Sequence, residues 1–177
     1  RSERLSALVL SHLNTPAFRN KTIALSSVIN QDGRSSSLTA PNGPAQQEAL
    51  RTALSRAGCL GSEVHALSMH GTGTPLGDPI EVGAASAVLY RPEELGPSSG
   101  IPLTMLATKS LVGHAEPAAG LTGVILALEE LSVCRSGSIL HLRQLNPYVS
   151  NALRSSSRRG VGGALGSTGG CSVRMPR

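Results

Sequence analysis

The sequence predicts an α/β layered fold, with a sheet packed between helices, and three observations carry that expectation. A short apolar run, a loop and then a helical pattern follow one another three times, over residues 23–57, 64–90 and 103–131. The apolar residues are aliphatic: 40% of the 177 residues are hydrophobic but 2% are aromatic, namely Phe18, Tyr90 and Tyr148, with no Trp. Helix-starting and helix-stopping residues stand where the pattern changes.

The elements follow in order. Ile23 to Ile29 is a short run with β-branched residues, which predicts a buried strand ending at the polar turn Asn30-Gln31-Asp32-Gly33. After a long polar loop, Pro44 suits a first helical position. Ala49, Leu50, Ala53, Leu54 and Ala57 then recur at helical spacing until Gly58, which predicts an amphipathic helix. Val64, Ala66, Leu67 and Met69 form a second short strand. Asp78-Pro79-Ile80-Glu81 has the order of a capping box with a proline at N1, so a helix is expected from about Pro79 toward Tyr90, and Asp78 and Glu81 are read as capping groups.

Arg91 to Gly100 is rich in Pro, Ser, Gly and Glu and reads as a surface loop; Leu103 to Ala107 supplies a third strand. Pro117 starts another helical run. Ala118 to Leu131 is apolar nearly all round, as in a buried helix, and Gly120 and Gly123 within it imply close backbone packing. Beyond Asn151 the pattern degrades. Arg154 to Arg159 reads as a basic, flexible stretch, and Gly160 to Cys171 as a strand–turn–strand, a poorly ordered tail, or both. The chain therefore divides into a leading segment, 1–22, a main unit, 23–148, and a Gly-, Ser- and Arg-rich tail, 149–177.

Composition narrows the function classes. A net charge of +5 suits an acidic partner or an ordinary solvated surface, but a nucleic-acid-binding module would also show stacking aromatics, which this chain almost lacks. Cys59, Cys134 and Cys171 are odd in number and far apart, which points to a reducing, cytoplasmic setting rather than a disulfide scaffold. The most apolar stretch, Pro117 to Leu128, is too short to span a membrane and is flanked by Glu116, Glu129 and Glu130. The chain begins at Arg1 without a leader pattern and reads as a piece of a longer protein.

Two loops carry the chemistry. His70-Gly71-Thr72-Gly73-Thr74-Pro75-Leu76-Gly77 sets a histidine and two hydroxyls on a glycine-flexible loop that runs into a helix start. Lys109-Ser110-Leu111-Val112-Gly113-His114 sets a lysine and a second histidine between a strand-like and a helix-like run. His12, His65 and His141 have no such context and read as structural; no spacing matches a metal-ligand pattern.

With Asn30-Gln31-Asp32-Gly33 and Leu38-Thr39-Ala40-Pro41-Asn42-Gly43-Pro44, these loops make residues 26–148 resemble the C-terminal half of a β-ketoacyl synthase, especially the ketosynthase domain of a type I polyketide synthase, in the thiolase-like superfamily. The resemblance implies decarboxylative condensation of malonyl-type thioesters with a cysteine-bound acyl chain. His70 and His114 would be catalytic, donating through Nε2 to the oxygen on which charge develops. Lys109 would be the family's lysine, a cation that opposes protonation of both rings. Thr72 and Thr74 would bind the phosphopantetheine arm of an acyl carrier protein, and no cofactor would be held by this chain itself.

The same resemblance implies a partner half that bears the nucleophilic cysteine, since Cys59, Cys134 and Cys171 match no nucleophile motif, and a homodimeric parent enzyme. Near the end, Leu165 to Ser172 stands where the family usually closes with a Phe-Gly and Asn-Ala-His-bearing strand. A non-catalytic scaffold or carrier-protein docking piece is the alternative reading.

Overall fold

Two parallel strands and the helix that joins them form the middle of the molecule. The computed structural model describes residues 2–12, 22–33, 40–89, 103–132, 139 and 142–159. In chain order these give α1 (Gly43–Ala57), β1 (Ala66–Ser68), α2 (Gly77–Leu89), β2 (Thr104–Leu106), α3 (Lys109–Val112), α4 (Ala119–Ser132) and α5 (Pro147–Arg159), with 3-10 turns at Gly61–Glu63 and Glu116–Ala118. No described helix is long and apolar enough to cross a membrane.

α1 forms where the sequence places it, because both ends are capped. The Asn42 side chain accepts the Ala45 amide proton at 3.1 Å, and Gly58 ends the helix in the left-handed conformation, φ 66°. β1 and β2 pair in parallel with Ala66 opposite Thr104, Leu67 opposite Met105 and Ser68 opposite Leu106. α2 is the crossover between them. It is buried on most of its circumference, at Val82, Ala84, Ala85, Ser86, Val88 and Leu89, because α1 and α5 both pack against it.

The core joins these layers. Val82, Ala85, Val88 and Leu89 of α2 meet Leu103, Met105 and Val149, with Leu50, Leu54, Leu67, Leu145, Ala152 and Leu153 around them. It is aliphatic throughout, in keeping with the composition. Each Val, Leu or Met side chain among them that is fully removed from water contributes about 1.5–3 kcal/mol. Gly61 seals the end of α2, since a β-carbon there would lie 2.6 Å from the Val88 carbonyl oxygen.

Several expectations are corrected. Residues 22–33 form no strand; Ile23, Leu25 and Ile29 are exposed, at 52%, 63% and 98%. A strand needs a ladder, and this segment is instead tied sideways to α1: the Ser26 hydroxyl donates to the Ala53 carbonyl, the Asn30 amide to the Ala45 carbonyl and Arg56 to the Ser27 carbonyl. α4 is a helix as expected, but its buried residues are Thr122 and Gly123, while Val124 and Leu131 are 45% and 62% exposed. Apolar periodicity reports that a helix asks for cover, not that the described chain covers it. Gly123 does sit against β1, 3.5 Å from the Ser68 hydroxyl for an added β-carbon, whereas Gly120 faces open space.

The tail correction runs the other way. Residues 147–159 are helical, not flexible, because Asn146 caps the segment by accepting the Tyr148 amide proton at 2.9 Å and Pro147 takes the first helical position. Val149, Ala152 and Leu153, at helical spacing, face the core. His141, Tyr90, the 91–100 loop and the Gly160–Cys171 and Leu165–Ser172 stretches lie outside the described residues. His12 and His65 are exposed rather than packed.

Candidate active site

The parallel register brings the two predicted loops together. His70 follows Ser68 by two residues and Lys109 follows Leu106 by three, so both leave the same edge of adjacent parallel strands. That edge, beyond the carboxyl ends of the strands, is where open α/β sheets build sites. Pairing continues one residue past the strand, with the Met69 amide donating to the Leu106 carbonyl at 2.9 Å. Gly71 makes the close approach possible: its φ is +49°, and a β-carbon would lie 3.0 Å from the Ala107 side chain.

The first loop is held by α2. The Glu81 carboxylate accepts the amide protons of His70 at 2.5 Å and Gly71 at 3.0 Å. Asp78 accepts that of Gly73 at 3.2 Å. Neither carboxylate serves as the helix cap that the sequence implies; the Thr74 hydroxyl does so, accepting the Gly77 amide proton at 3.1 Å, and the helix begins at Gly77 rather than Pro79. Gly77 is required by that cap, because a β-carbon would collide with the Thr74 hydroxyl. The capping-box spacing misleads here because residues three apart in the first helical turn share a face, and this face meets the loop.

Lys109, at the start of α3, supplies the second hold on His70. Its ammonium donates to the His70 carbonyl oxygen at 2.5 Å and faces the ring Nδ1 at 3.5 Å. α3 is one turn long and closes at Gly113, φ 74°, whose amide donates to the Lys109 carbonyl at 2.9 Å. That turn delivers His114 beside His70. Their rings stand edge to face, with centroids 5.8 Å apart and planes at 87°. The His114 Nδ1 accepts the Glu116 amide proton at 3.2 Å.

The hydrogen bonds assign the tautomers. Each Nδ1 faces a donor, an ammonium at His70 and a main-chain amide at His114, so in each neutral ring the proton belongs on Nε2. Two imidazole N–H donors in one corner can stabilise negative charge on a shared oxygen. The described residues contain no group of three or more His, Cys, Asp and Glu side chains arranged to hold a metal ion.

Of the residues singled out from sequence, the structure brings together His70, Lys109 and His114. Thr72, half-buried, and Thr74, exposed, follow on the loop of His70. The roles of Glu81 and the Glu116 amide are absent from the sequence reading. For Glu81 the signal was an acid placed to face its own helix start; for the Glu116 amide no side-chain pattern could have shown it.

Comparisons with known proteins fit this arrangement. Residues 22–136 match the family model described as β-ketoacyl synthase, C-terminal domain. The chain is 41% identical over 152 residues to the spectinabilin polyketide synthase system protein NorA' of Streptomyces orinoci, covering 84% of this chain and 4% of that protein. It is 40% identical over 154 residues to erythronolide synthase EryA2 of Saccharopolyspora erythraea, again 84% of this chain and 4% of the relative. The chain thus spans a small part of the relatives it matches.

Among solved structures it is similar to the oxazolomycin ketosynthase domain OzmH KS7 of Streptomyces albus JA3453, with TM-score 0.60 and 32% identity over 68% of this chain and 20% of that one. The ketosynthase from module 6 of the bacillaene synthase of Bacillus subtilis 168 gives TM-score 0.59 and 31% identity, covering 67% and 21%. The strand-edge histidine pair, the family match over residues 22–136 and the structural likeness agree: the chain belongs to the β-ketoacyl synthase C-terminal domain family, as found in the ketosynthases of polyketide synthases.

Proposed function

We propose that this chain supplies the histidine–lysine part of a ketosynthase site that performs decarboxylative condensation. A malonyl-type thioester enters on the phosphopantetheine arm of an acyl carrier protein. Its bond to the carboxylate breaks, CO2 leaves, and the electron pair moves to the α-carbon and onto the thioester oxygen. The carbanion attacks the carbonyl of an acyl group held on a cysteine; the new carbon–carbon bond forms and the cysteine leaves as thiolate. The cysteine, on this reading, comes from an N-terminal ketosynthase half, in a parent enzyme that is a homodimer.

The observation that supports this best is the pair of rings 5.8 Å apart whose Nδ1 atoms both face donors. Both Nε2–H groups are then free to meet one developing oxyanion, and neither needs to reorient as charge appears. Lys109 acts through His70, by holding its carbonyl and ring. Thr74 already accepts the Gly77 amide proton, so what it offers an arm is its own hydroxyl proton, suited to an amide carbonyl. Thr72 would make a second such contact.

The test unites this chain with a cysteine-bearing ketosynthase half. His70→Ala and His114→Ala are each expected to abolish malonyl decarboxylation and condensation while acyl loading of the cysteine persists. Near-normal condensation by both variants would overturn the assignment.

A further inference from the structure

We propose that residues 2–6 form a strap that positions the loop of His114, with the Ser2 amide and the Arg4 guanidinium as its holding groups. The proposal rests on the reading that His114 acts on the thioester oxygen. The strap lies outside residues 22–136, so the family match does not carry it.

The loop needs an outside hold because of Gly113. Its backbone, φ 74° and ψ 179°, falls in a region that essentially glycine alone adopts, and glycine has the backbone least restrained by sterics. α3 before it is one turn long, so its last carbonyls have no partner further along a helix. The strap supplies donors on both sides of the glycine. The Ser2 amide donates to the His114 carbonyl at 3.1 Å, and the Arg4 Nε donates to the Val112 carbonyl at 3.3 Å. Two residues forward along the strap match two residues back along the loop, so the two segments run antiparallel. Gly113 also makes room for the strap, since a β-carbon there would lie 3.3 Å from the Ser2 side chain.

A third contact anchors the strap beyond the loop. The Ser6 and Thr122 hydroxyls lie 3.0 Å apart, and the Thr122 proton goes to the Ala118 carbonyl at 2.8 Å, so Ser6 is the donor. Thr122 is buried, which ties the strap to the covered side of α4. Leu5 between these anchors is 98% exposed. A cavity of about 220 Å3 is lined by Arg4 and Leu5 together with Val112, Ile125 and Leu126. The strap is therefore held by polar contacts rather than by packing, and its release frees the loop of His114 while the core stays folded.

The test is NMR and hydrogen exchange of the full chain, with kinetics after a cysteine-bearing ketosynthase half is added. The unmodified chain is expected to show a nuclear Overhauser contact between Ser2 and Gly113. Arg4→Ala and Ser2→Pro each remove one donor, and should speed exchange of the Gly113 amide about tenfold at an unchanged denaturation midpoint. Ser2→Ala should leave that exchange as it was, because the Ser2 hydroxyl has no hydrogen-bond partner among the described residues. In the assembled enzyme Arg4→Ala should lower kcat for condensation about tenfold, with acyl loading and KM for the malonyl-loaded carrier protein unchanged.

No contact between Ser2 and Gly113 in the unmodified chain would overturn the proposal. So would an unchanged kcat in Arg4→Ala, the result expected if the added half displaces the strap. A lowered denaturation midpoint in Arg4→Ala would make the strap a support of the fold and overturn its positioning role. Condensation that survives His114→Ala counts against the catalytic assignment of His114 instead, and the Gly113 exchange still reads the strap, so the two failures are distinguishable.

Discussion

The Glu81 carboxylate holds the main chain of His70 from below the loop, at 2.5 Å from its amide nitrogen, and takes the next amide, of Gly71, at 3.0 Å. Lys109 holds the carbonyl of the same histidine. His70 is thus fixed at both its amide and its carbonyl, in two successive peptide units, by opposite charges carried on two different helices. Hydrogen bonds to ionised groups contribute more than neutral ones, which suits a loop with glycine at 71, 73 and 77.

Glu81→Ala is expected to lower stability by about 1.5–3 kcal/mol in a denaturant melt, because two amide donors lose a charged acceptor. Glu81→Gln keeps one acceptor oxygen and presents an NH2 where the second amide needs an acceptor, so it should fall between Ala and the unmodified chain. An Ala variant as stable as the parent would show that the loop holds itself.

Thr74 caps α2, whereas Asp78 receives one amide from the loop. Thr74→Ala should therefore cost about 0.5–2 kcal/mol, and Thr74→Asn, which can cap, much less. Asp78→Ala should cost about 0.5–1.5 kcal/mol, the scale of a single hydrogen bond. If only the Asp78 variant loses stability, the cap is Asp78 after all. Thr74→Asn also separates capping from arm binding, since it restores the acceptor without a hydroxyl.

How legible the molecule was in its sequence differs by element for physical reasons. α1, α2 and the paired strands carry their own signals: Asn42 and Gly58 at the ends of α1, and apolar runs of strand length at 64–69 and 103–107. Ile23 to Ile29 carries the same apolar signal without a strand, because pairing is a property of two segments and periodicity describes one. α5 was missed although Asn146-Pro147 is a good start signal, since the polar, Arg-rich run after it outweighed three core contacts. In the site, His70, Lys109 and His114 were legible as side chains in recognisable loops. The grip of Glu81 and the amide of Glu116 were not, because each works through backbone amides that no residue pattern displays.

Ser86 lies in α2 at 1% exposure, and among the described residues its hydroxyl has no hydrogen-bond partner. An unpaired buried hydroxyl opposes folding, and removing it leaves a cavity no larger than one oxygen. Ser86→Ala is expected to raise stability by about 1 kcal/mol, read as a higher denaturation midpoint. A loss of similar size would mean that the hydroxyl is satisfied by a bound water.

The chain by itself is expected neither to load an acyl group nor to condense malonyl units. Cys59, the cysteine among the described residues, lies two residues before Gly61, which sits against Val88 and Leu89 at the C-terminal end of α2. His70 is tied to the N-terminal part of that helix through Glu81. The two anchor points, Glu81 and Val88–Leu89, are separated along α2 by about 11 Å at 1.5 Å per residue, too far for a cysteine-bound acyl group to meet a carbanion formed beside His70 and His114. Incubation with an acyl thioester and a malonyl-loaded carrier protein, followed by intact-mass measurement and peptide mapping over Cys59, Cys134 and Cys171, checks this. Stoichiometric acylation at one of the three, with β-ketoacyl product lost when that residue becomes Ala, would show that the chain holds a complete site and that no second half need supply the nucleophile.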